Sequence, residues 1–209
     1  MNNDQTSVDV VIPSYRPDEK FSRLVKKLQE QEYPIGTIFV INTKAGRFPK
    51  EVEQMEKVKV SHIERREFDH GATRDMGMQM SKAEIVVFMT QDAVPADEYV
   101  IGNLVKVLDF AANTYGQMTD GFIREDLKSL RKAVSSTNDE KDILKKIRRK
   151  ETLGMRRIDR NVAIEKNTWF HLGSNSSEQM MYCLKRMCEP CKEHVDNNFN
   201  PLPAECAEE

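Results

Sequence analysis

The chain has 209 residues, enough for one medium-sized domain or two small ones. Hydrophobic residues make up 39% of it and charged residues 32%, and the formal net charge of -2 at pH 7 excludes the basic excess of a general nucleic-acid-binding protein. No apolar run approaches the ~20 residues of a membrane-spanning helix, and the first residues lack the basic and apolar regions of a secretory signal. We therefore expect a cytoplasmic protein, and the composition is compatible with peripheral membrane contact and with a homo-oligomer.

The first hundred residues alternate short β-rich runs with helical patterns. Four runs are predicted to be strands, the first ended by Pro13 and the last buried: 8–12, 37–41, 58–63 and 85–89. An amphipathic helix is predicted after the first strand because its apolar residues follow the i, i+3, i+4, i+7 rule: Phe21, Leu24, Val25 and Leu28. A second helix is predicted over residues 72–81. This alternation predicts an α/β fold with a Rossmann-like, mostly parallel sheet.

The second half of the chain has a helical pattern throughout. Four helices are predicted: 103–115, 122–134, 140–150 and 177–194. Thr137 and Glu140 have the spacing of a capping box, which predicts that the third helix starts there. We expect a small antiparallel helical bundle, and we place the domain boundary between residues 1–105 and 106–209. Five residues are expected in its core: Phe110, Met118, Phe122, Leu127 and Leu130.

Polar residues follow the predicted strands, at the edge where a parallel sheet binds its ligands. Pro13 ends the first strand and is expected to leave the backbone of Ser14 and Tyr15 free to bond a flat ligand. Asn42 follows the second strand and can both donate and accept, as the edge of a pyrimidine base requires. Taken alone, Asn42 is typical of a turn.

A carboxylate and an arginine are predicted at the same edge. Asp92 follows the fourth strand, and a hard oxygen ligand there suits Mg²⁺ or Mn²⁺, which bind substrate phosphates through one or two carboxylates. Arg74, just inside the helix that follows Gly71, favours an anion such as a diphosphate. Singly, Asp92 is typical of a loop, Arg74 of a solvated helix, and His70 of a loop. Their joint occurrence at the strand ends favours a binding site.

Three runs resemble the family-2 glycosyltransferases of the GT-A fold, in particular the rhamnosyltransferase-type branch that builds bacterial surface polysaccharides. They are VVIPSY at 10–15, FDHGATRD at 68–75 and VFMTQDAVP at 87–95. The resemblance covers about residues 7–105. It implies a nucleotide-sugar donor and a saccharide or lipid-linked acceptor, and a divalent metal, Mg²⁺ or Mn²⁺.

The resemblance also implies roles for individual residues. Four would hold the nucleoside of the donor: Pro13, Ser14, Tyr15 and Asn42. Arg74 would lie near the diphosphate, and Asp92 would reach the metal that bridges the phosphates. The chain departs from the family at Asn42, where many relatives have an aspartate, and at Thr90, where many have the first acid of the metal motif.

No general base for the acceptor hydroxyl is identifiable in the sequence. Glu125-Asp126 and Asp139-Glu140 are acidic, but both lie in predicted amphipathic helices, which favours solvated faces over catalysis. The catalytic residues therefore stay unassigned. A second hypothesis follows, that the chain is a non-catalytic, truncated or fused transferase remnant joined to a helical interaction module.

The helical half offers three further patterns. Cys188, Cys191 and His194, with Cys183, could ligate zinc, but positions 184, 187, 188, 191 and 195 trace one apolar stripe, which favours core packing. The basic stretch 145–157 could attract phosphates or an acidic membrane, although its interspersed acids favour a solvated face. Residues 167–172 and 193–199 give a less specific resemblance to the helical, PhoU-like cytoplasmic regions of bacterial phosphate transporters, which would imply a regulatory role.

Overall fold

The computed structural model describes residues 6–95, 97–155 and 160–197, of which 150–152, 154–155 and 160–175 are described by their backbone alone. The chain divides into two compact units, Met1–Leu104 and Val105–Glu209. In the described residues, no helix has the length and apolarity needed to cross a membrane. The expected architecture, a parallel sheet with helices followed by a helical region, is confirmed.

The first unit is built on a four-stranded parallel sheet in the order β3-β2-β1-β4. The strands are β1 (Val8–Tyr15), β2 (Ile38–Thr43), β3 (Val58–Ile63) and β4 (Ile85–Phe88). The helices between them are α1 (Glu19–Gln29), α2 (Lys50–Glu53) and α3 (His70–Met80), with a 3-10 turn at Arg65–Glu67 before α3. Because the strands are parallel, all their carboxyl ends meet at one edge of the sheet.

Helix α1 forms where the apolar periodicity predicts it. Asp18 caps it by accepting a hydrogen bond from the Lys20 N–H. Its buried residues are the four expected ones: Phe21, Leu24, Val25 and Leu28. Each such side chain contributes roughly 1.5–3 kcal/mol when it is removed from water, so this face is sufficient to hold the helix on the sheet.

Strand β1 continues through Pro13 to Tyr15, so the expectation that Pro13 ends the strand is wrong. Backbone groups of successive strand residues point to opposite neighbours. Val10 donates toward β2 and Val11 accepts from Met89 beyond β4, which places the Pro13 nitrogen on the β4 side. β4 pairs with β1 only as far as Val11. Pro13 therefore costs the sheet no hydrogen bond, and β2 still pairs with β1 as far as Tyr15.

Helix α3 packs directly on the sheet through Gly77. A Cβ added at Gly77 would lie 2.3 Å from Cγ1 of Val11, so only glycine permits this approach. The end of α3 is tied to the start of β1 by buried Asp9, which accepts from the Ser81 hydroxyl at 2.5 Å and from the Thr37 N–H at 2.7 Å. Helix α3 thus runs from the carboxyl edge of the sheet back to its amino edge.

Strand β4 is an edge strand whose side chains are half-buried, and Phe88 is 40% exposed. The expectation of a buried fourth strand is wrong. Its apolar sequence, Ile85-Val86-Val87-Phe88, is typical of an interior parallel strand, but among the described strands only β1 pairs with it.

Three helices follow: α4 (Val100–Ile123), α5 (Leu127–Met155) and α6 (Arg160–Asp196). The second unit contains α4 from Val105 onward, together with α5 and α6. Arg131 pairs with Asp196 and Arg148 with Glu178, so α5 and α6 run antiparallel. Met118, Leu130, Ala133 and Cys188 form a buried cluster, with Phe122 packed against it. Phe110 and Leu127, also expected in the core, are half-buried.

The helix expected to start at Thr137 is instead the middle of α5, so the capping-box prediction is wrong. Thr137 is 1% exposed and donates from its hydroxyl to the Val134 carbonyl inside the helix. A Thr-x-x-Glu spacing caps a helix only where the preceding chain is non-helical, and here packing of α5 against α6 keeps the helix continuous.

Candidate functional site

Three polar side chains lie in one row across the carboxyl ends of β1, β2 and β3. Ser14, Asn42 and His62 are register partners on β1, β2 and β3, and partners in adjacent strands share a face of the sheet. The Ser14 hydroxyl donates to Oδ1 of Asn42 at 3.1 Å, and Nδ2 of Asn42 lies 3.0 Å from Nδ1 of His62. Ser14 is 3% and Asn42 4% exposed, so the row is a built, internally bonded feature.

The row continues onto α2. Nε2 of His62 lies 3.1 Å from a carboxylate oxygen of Glu53, and the His62 ring stands edge-on to Phe48 with its centroid 5.5 Å away. Sequence reasoning missed both His62 and Glu53. The sequence did contain a signal for His62, because this residue lies near the end of the predicted strand 58–63, and Asn42 follows the end of the neighbouring one. Glu53 gave none, because its position next to His62 depends on how α2 folds over β3.

The backbone of Tyr15 is not free, contrary to expectation. Gln91, in the turn after β4, accepts from the Tyr15 N–H at 2.7 Å and donates to the Tyr15 carbonyl at 3.0 Å. A carboxamide matches a backbone N–H and C=O pair in this way because it carries both donor and acceptor. Gln91 therefore takes the place that a fourth-strand partner would fill, and it fixes the turn against the end of β1. Sequence reasoning assigned it no role.

Asp92 is exposed and follows Gln91 in that turn. The turn is closed by hydrogen bonds from Ala93 to the Thr90 carbonyl and from Val94 to the Asp92 carbonyl. Further along, buried Gln31 donates to the Asp97 carbonyl and accepts from the Ile101 N–H. The segment that carries Asp92 is thus anchored at both ends. The Asp92 carboxylate itself has no hydrogen-bond partner in the described residues.

Arg74 lies in α3, and its guanidinium donates to the His70 carbonyl one turn earlier at 3.0 Å. Among the described residues, no hydrogen bond joins Arg74 or Asp92 to Asn42. The structure thus joins Ser14 to Asn42 and Tyr15 to the turn of Asp92. It places Arg74 near the amino end of α3, which starts at this same edge.

The amino end of α3 differs from the expectation of a start at residue 72. The helix begins at His70, and Asp69 accepts from the Gly71 and Ala72 N–H groups, both at 2.9 Å. Hydrogen bonds from Ala72 and then Gly71 hold the pKa of Asp69 below its usual range. Because a carboxylate of the chain already occupies these N–H groups, they are not free to bind an external anion.

Two hydroxyls at this edge have no hydrogen-bond partner within the described part of the chain. They belong to Thr43, the last residue of β2, and Thr73, beside Arg74 in α3. Both residues are 2% exposed. A buried polar atom without a partner costs about 1–3 kcal/mol, and an ordered water is a usual partner for such a group.

The sequence profile described as Glycosyl transferase family 2 matches residues 9–175, more than half of the chain. The chain belongs to glycosyl transferase family 2. The resemblance seen in the sequence is thereby confirmed, and the family match extends past residue 105 into the helical unit. The resemblance seen in the motifs covered only about residues 7–105, so it was shorter than the match to the family profile.

The family-2 chain is 25% identical over 100 residues to the O-antigen chain rhamnosyltransferase RfbN of Salmonella typhimurium, covering 47% of this chain and 32% of that protein. Among the solved structures that resemble this chain, TarS 1-349 of S. aureus has a TM-score of 0.43 at 17% identity, over 49% of this chain and 32% of the other. Mannosyltransferase PcManGT from Pyrobaculum calidifontis, in complex with GDP-Man and Mn²⁺, has a TM-score of 0.43 at 18% identity, over 50% and 32%. The chain thus spans about a third of these relatives' length.

In the helical unit of this family-2 protein, Cys188 is fully buried in the core cluster. Burial raises the pKa of Cys188 to about 11, as expected for a thiol among apolar groups. The core-packing interpretation of Cys188 is confirmed, whereas Cys183 is exposed. His194 stands edge-on to Phe122 at 5.2 Å. No group of three His, Cys, Asp or Glu side chains that could hold a metal occurs among the described residues.

Asp126, of the acidic pair Glu125-Asp126, has a structural role in the helical unit. Asp126 caps α5, and hydrogen bonds from the Ser129 side chain and backbone hold its pKa below the ordinary value. Beside it, an open cavity of about 550 Å³ has mixed-charge walls that include Asp120, Arg124 and Lys132. Residues 156–157 of the basic stretch, the side chains of 167–172, and 198–199 lie outside the description, so the transporter resemblance stays a prediction.

Proposed function

We propose that this chain binds a nucleotide-diphospho-sugar at the carboxyl edge of its sheet and transfers the sugar to a saccharide or lipid-linked acceptor. The observation that carries the proposal is the hydrogen-bonded row Ser14–Asn42–His62, in which Ser14 and Asn42 are buried, at the same strand ends as the turn of Asp92 in a family-2 chain. A base lying at this edge meets the Asn42 carboxamide, with Pro13 and Tyr15 from the end of β1 at its side. The relatives' printed descriptions, a rhamnosyltransferase and a mannosyltransferase bound to GDP-Man, support a sugar nucleotide as the ligand class.

The guanidinium of Arg74 supports the position of the diphosphate. Within the described residues only one of its five N–H groups is used, in the hydrogen bond to the His70 carbonyl. An arginine commonly binds a phosphate through two parallel N–H···O bonds, and Arg74 has the donors for them.

A divalent metal fits this site only together with the substrate. Asp92 offers an exposed carboxylate without a competing partner, and the described residues supply no group of three ligands. Mg²⁺ and Mn²⁺ accept such an arrangement because they retain waters and bind phosphate oxygens. The metal, when bound, would stabilise charge on the departing nucleoside diphosphate. The chain's own contribution is to hold Asp92 in place through the Gln91–Tyr15 hydrogen bonds.

Titration of nucleoside diphosphates with and without Mn²⁺ tests the binding proposal. Asp92→Ala should lose the Mn²⁺-dependent part of the affinity, by at least roughly tenfold, as is typical when a metal site is disturbed. Glu98→Ala removes a nearby exposed acid and serves as the control, with affinity unchanged. Equal affinities for the wild type and Asp92→Ala in Mn²⁺ would contradict the role of Asp92.

One observation favours a second candidate, a non-catalytic remnant that binds nucleotide as an interaction module. No general base for the acceptor hydroxyl is assigned among the described residues. Hydrolysis of UDP-, dTDP- and GDP-sugars by the wild type, abolished in Asp92→Ala, would support the enzyme. Nucleotide binding without turnover, with or without a saccharide acceptor, would support the remnant.

A further inference from the structure

The hydrogen bonds along Ser14–Asn42–His62–Glu53 run in one direction from donor to acceptor. Glu53, at the outer end of this row, determines that direction. An ionised carboxylate such as Glu53 accepts hydrogen bonds and donates none. Nε2 of His62, 3.1 Å away, must therefore carry a proton. In a neutral imidazole the other nitrogen, Nδ1, is then an acceptor. Since Nδ1 lies 3.0 Å from Nδ2 of Asn42, the Asn42 amide donates to it.

This order leaves Oδ1 of Asn42 facing β1, where it accepts from the Ser14 hydroxyl. Ser14 alone could not set the direction, because a hydroxyl donates or accepts equally well. His62 alone could not set it either, because each of its tautomers satisfies one direction of the amide. Glu53 is the one member of the chain of hydrogen bonds that cannot reverse its role.

The row is held rigidly enough for the direction to matter. Asn42 is 4% exposed and sits between two strands in register. The His62 ring packs edge-on against Phe48, which packs edge-on against Phe21 in the core at 5.9 Å. The His62 side chain is 35% exposed, so the Phe48 contact and the hydrogen bonds with Asn42 and Glu53 hold it in place rather than burial.

We propose that Glu53 and His62 are positioning residues that lock the Asn42 carboxamide in one direction and thereby determine which pyrimidine base this chain accepts. The inference rests on the proposed function, since it requires a nucleotide at this edge. The locked amide has one N–H and one lone pair left for a ligand. At ring positions 3 and 4 uracil presents a donor and then an acceptor, whereas cytosine presents the reverse order. In one binding pose, a fixed amide pairs with one of these bases and opposes the other.

The first measurement determines the tautomer of His62 without any nucleotide. Two-bond ¹H–¹⁵N correlation spectra at pH 7.5 distinguish an Nε2–H imidazole, an Nδ1–H imidazole and a doubly protonated ring. Loss of one set of signals in His62→Gln assigns the residue among the four histidines. We expect the Nε2–H form in the wild type and a mixture in Glu53→Gln, because a glutamine can donate as well as accept. An Nδ1–H or doubly protonated His62 in the wild type overturns the lock.

The second measurement is the ratio of the dissociation constants for UDP and CDP. We expect the wild type to discriminate between them and Glu53→Gln to reduce the ratio by about fivefold, the effect of one net hydrogen bond. Glu51→Gln is the matched control, because Glu51 lies on the same helix and bonds to Ser22 instead. It should leave both the ratio and the His62 spectrum unchanged.

The outcomes separate this inference from the proposed function. A wild type that binds no nucleoside diphosphate refutes the proposed function and this inference with it. A wild type that binds UDP and CDP equally, or a ratio that Glu53→Gln leaves unchanged, refutes only the role of Glu53 and His62. A ratio that falls in Glu53→Gln and also in Glu51→Gln assigns the effect to the charge of α2 and overturns the lock.

Discussion

The contact of Gly77 with Val11 determines how closely α3, and with it Arg74, lies on the sheet. A Cβ at position 77 would lie 2.3 Å from Cγ1, 3.2 Å from Cγ2 and 3.4 Å from Cβ of Val11. Carbon atoms pack at about 3.5–4.0 Å, and Val11 is fully buried in a central strand. Gly77→Ala should therefore force α3 away from β1.

The net cost follows from two opposing terms. Overpacking costs about 1–3 kcal/mol, and so deep an overlap belongs at the upper end of that range. The better helix propensity of alanine returns about 1 kcal/mol, which leaves a net destabilisation of about 2 kcal/mol. In a Val11→Ala background the two nearest methyl groups are gone, so the same substitution should fill space and stabilise the protein by up to about 1 kcal/mol.

Equilibrium unfolding in urea measures the change in free energy of unfolding in both backgrounds. Hydrogen exchange of peptides from β1 shows that the effect lies in the first unit. Gly102→Ala is the control, because its Cβ would meet Tyr33 at an ordinary 3.5 Å. A Gly77→Ala protein as stable as the wild type, or a penalty that persists in the Val11→Ala background, would refute the packing argument. Displacement of Arg74 should also weaken nucleoside diphosphate binding in Gly77→Ala.

Two further predictions concern buried polar groups. Asp9→Ala leaves the Thr37 N–H and the Ser81 hydroxyl without their acceptor, so the free energy of unfolding should fall by about 1–3 kcal/mol; an unchanged urea midpoint would contradict this. Because burial raises the pKa of Cys188 to about 11, its reactive thiolate is scarce below that pH, and exposed Cys183 should react first with a disulfide reagent at pH 8. Peptide mass spectrometry measures the two rates, and equal rates in the folded protein would argue against a buried Cys188.

The candidate site shows where sequence reasoning reaches its limit. Ser14, Asn42 and Asp92 were identifiable because each follows a β-rich run, and that position can be inferred from the chain alone. His62 and Glu53 were not assigned roles. Their importance comes from register partners 20 residues apart and from a one-turn helix folded over β3, and neither leaves a local pattern.

The same distinction explains the errors in the fold. Pro13 and the Thr137–Glu140 spacing are local signals that usually end or begin an element. They failed because the neighbours of β1 and the packing of α5 against α6 determined the outcome. Local signals measure the preference of a few residues, whereas tertiary contacts add the hydrophobic free energy of whole faces.

The sequence by itself determined the strands, the amphipathic face of α1 and the family, since each depends on residues that are adjacent or regularly spaced. Only the tertiary structure decided the strand order, the capping of α3 by Asp69, the hydrogen bonds between Gln91 and Tyr15, and the contact of Asn42 with Ser14 and His62. These depend on which distant groups meet, and a hydrogen bond between residues 76 positions apart, such as that from Tyr15 to Gln91, has no counterpart in the periodicity of the chain.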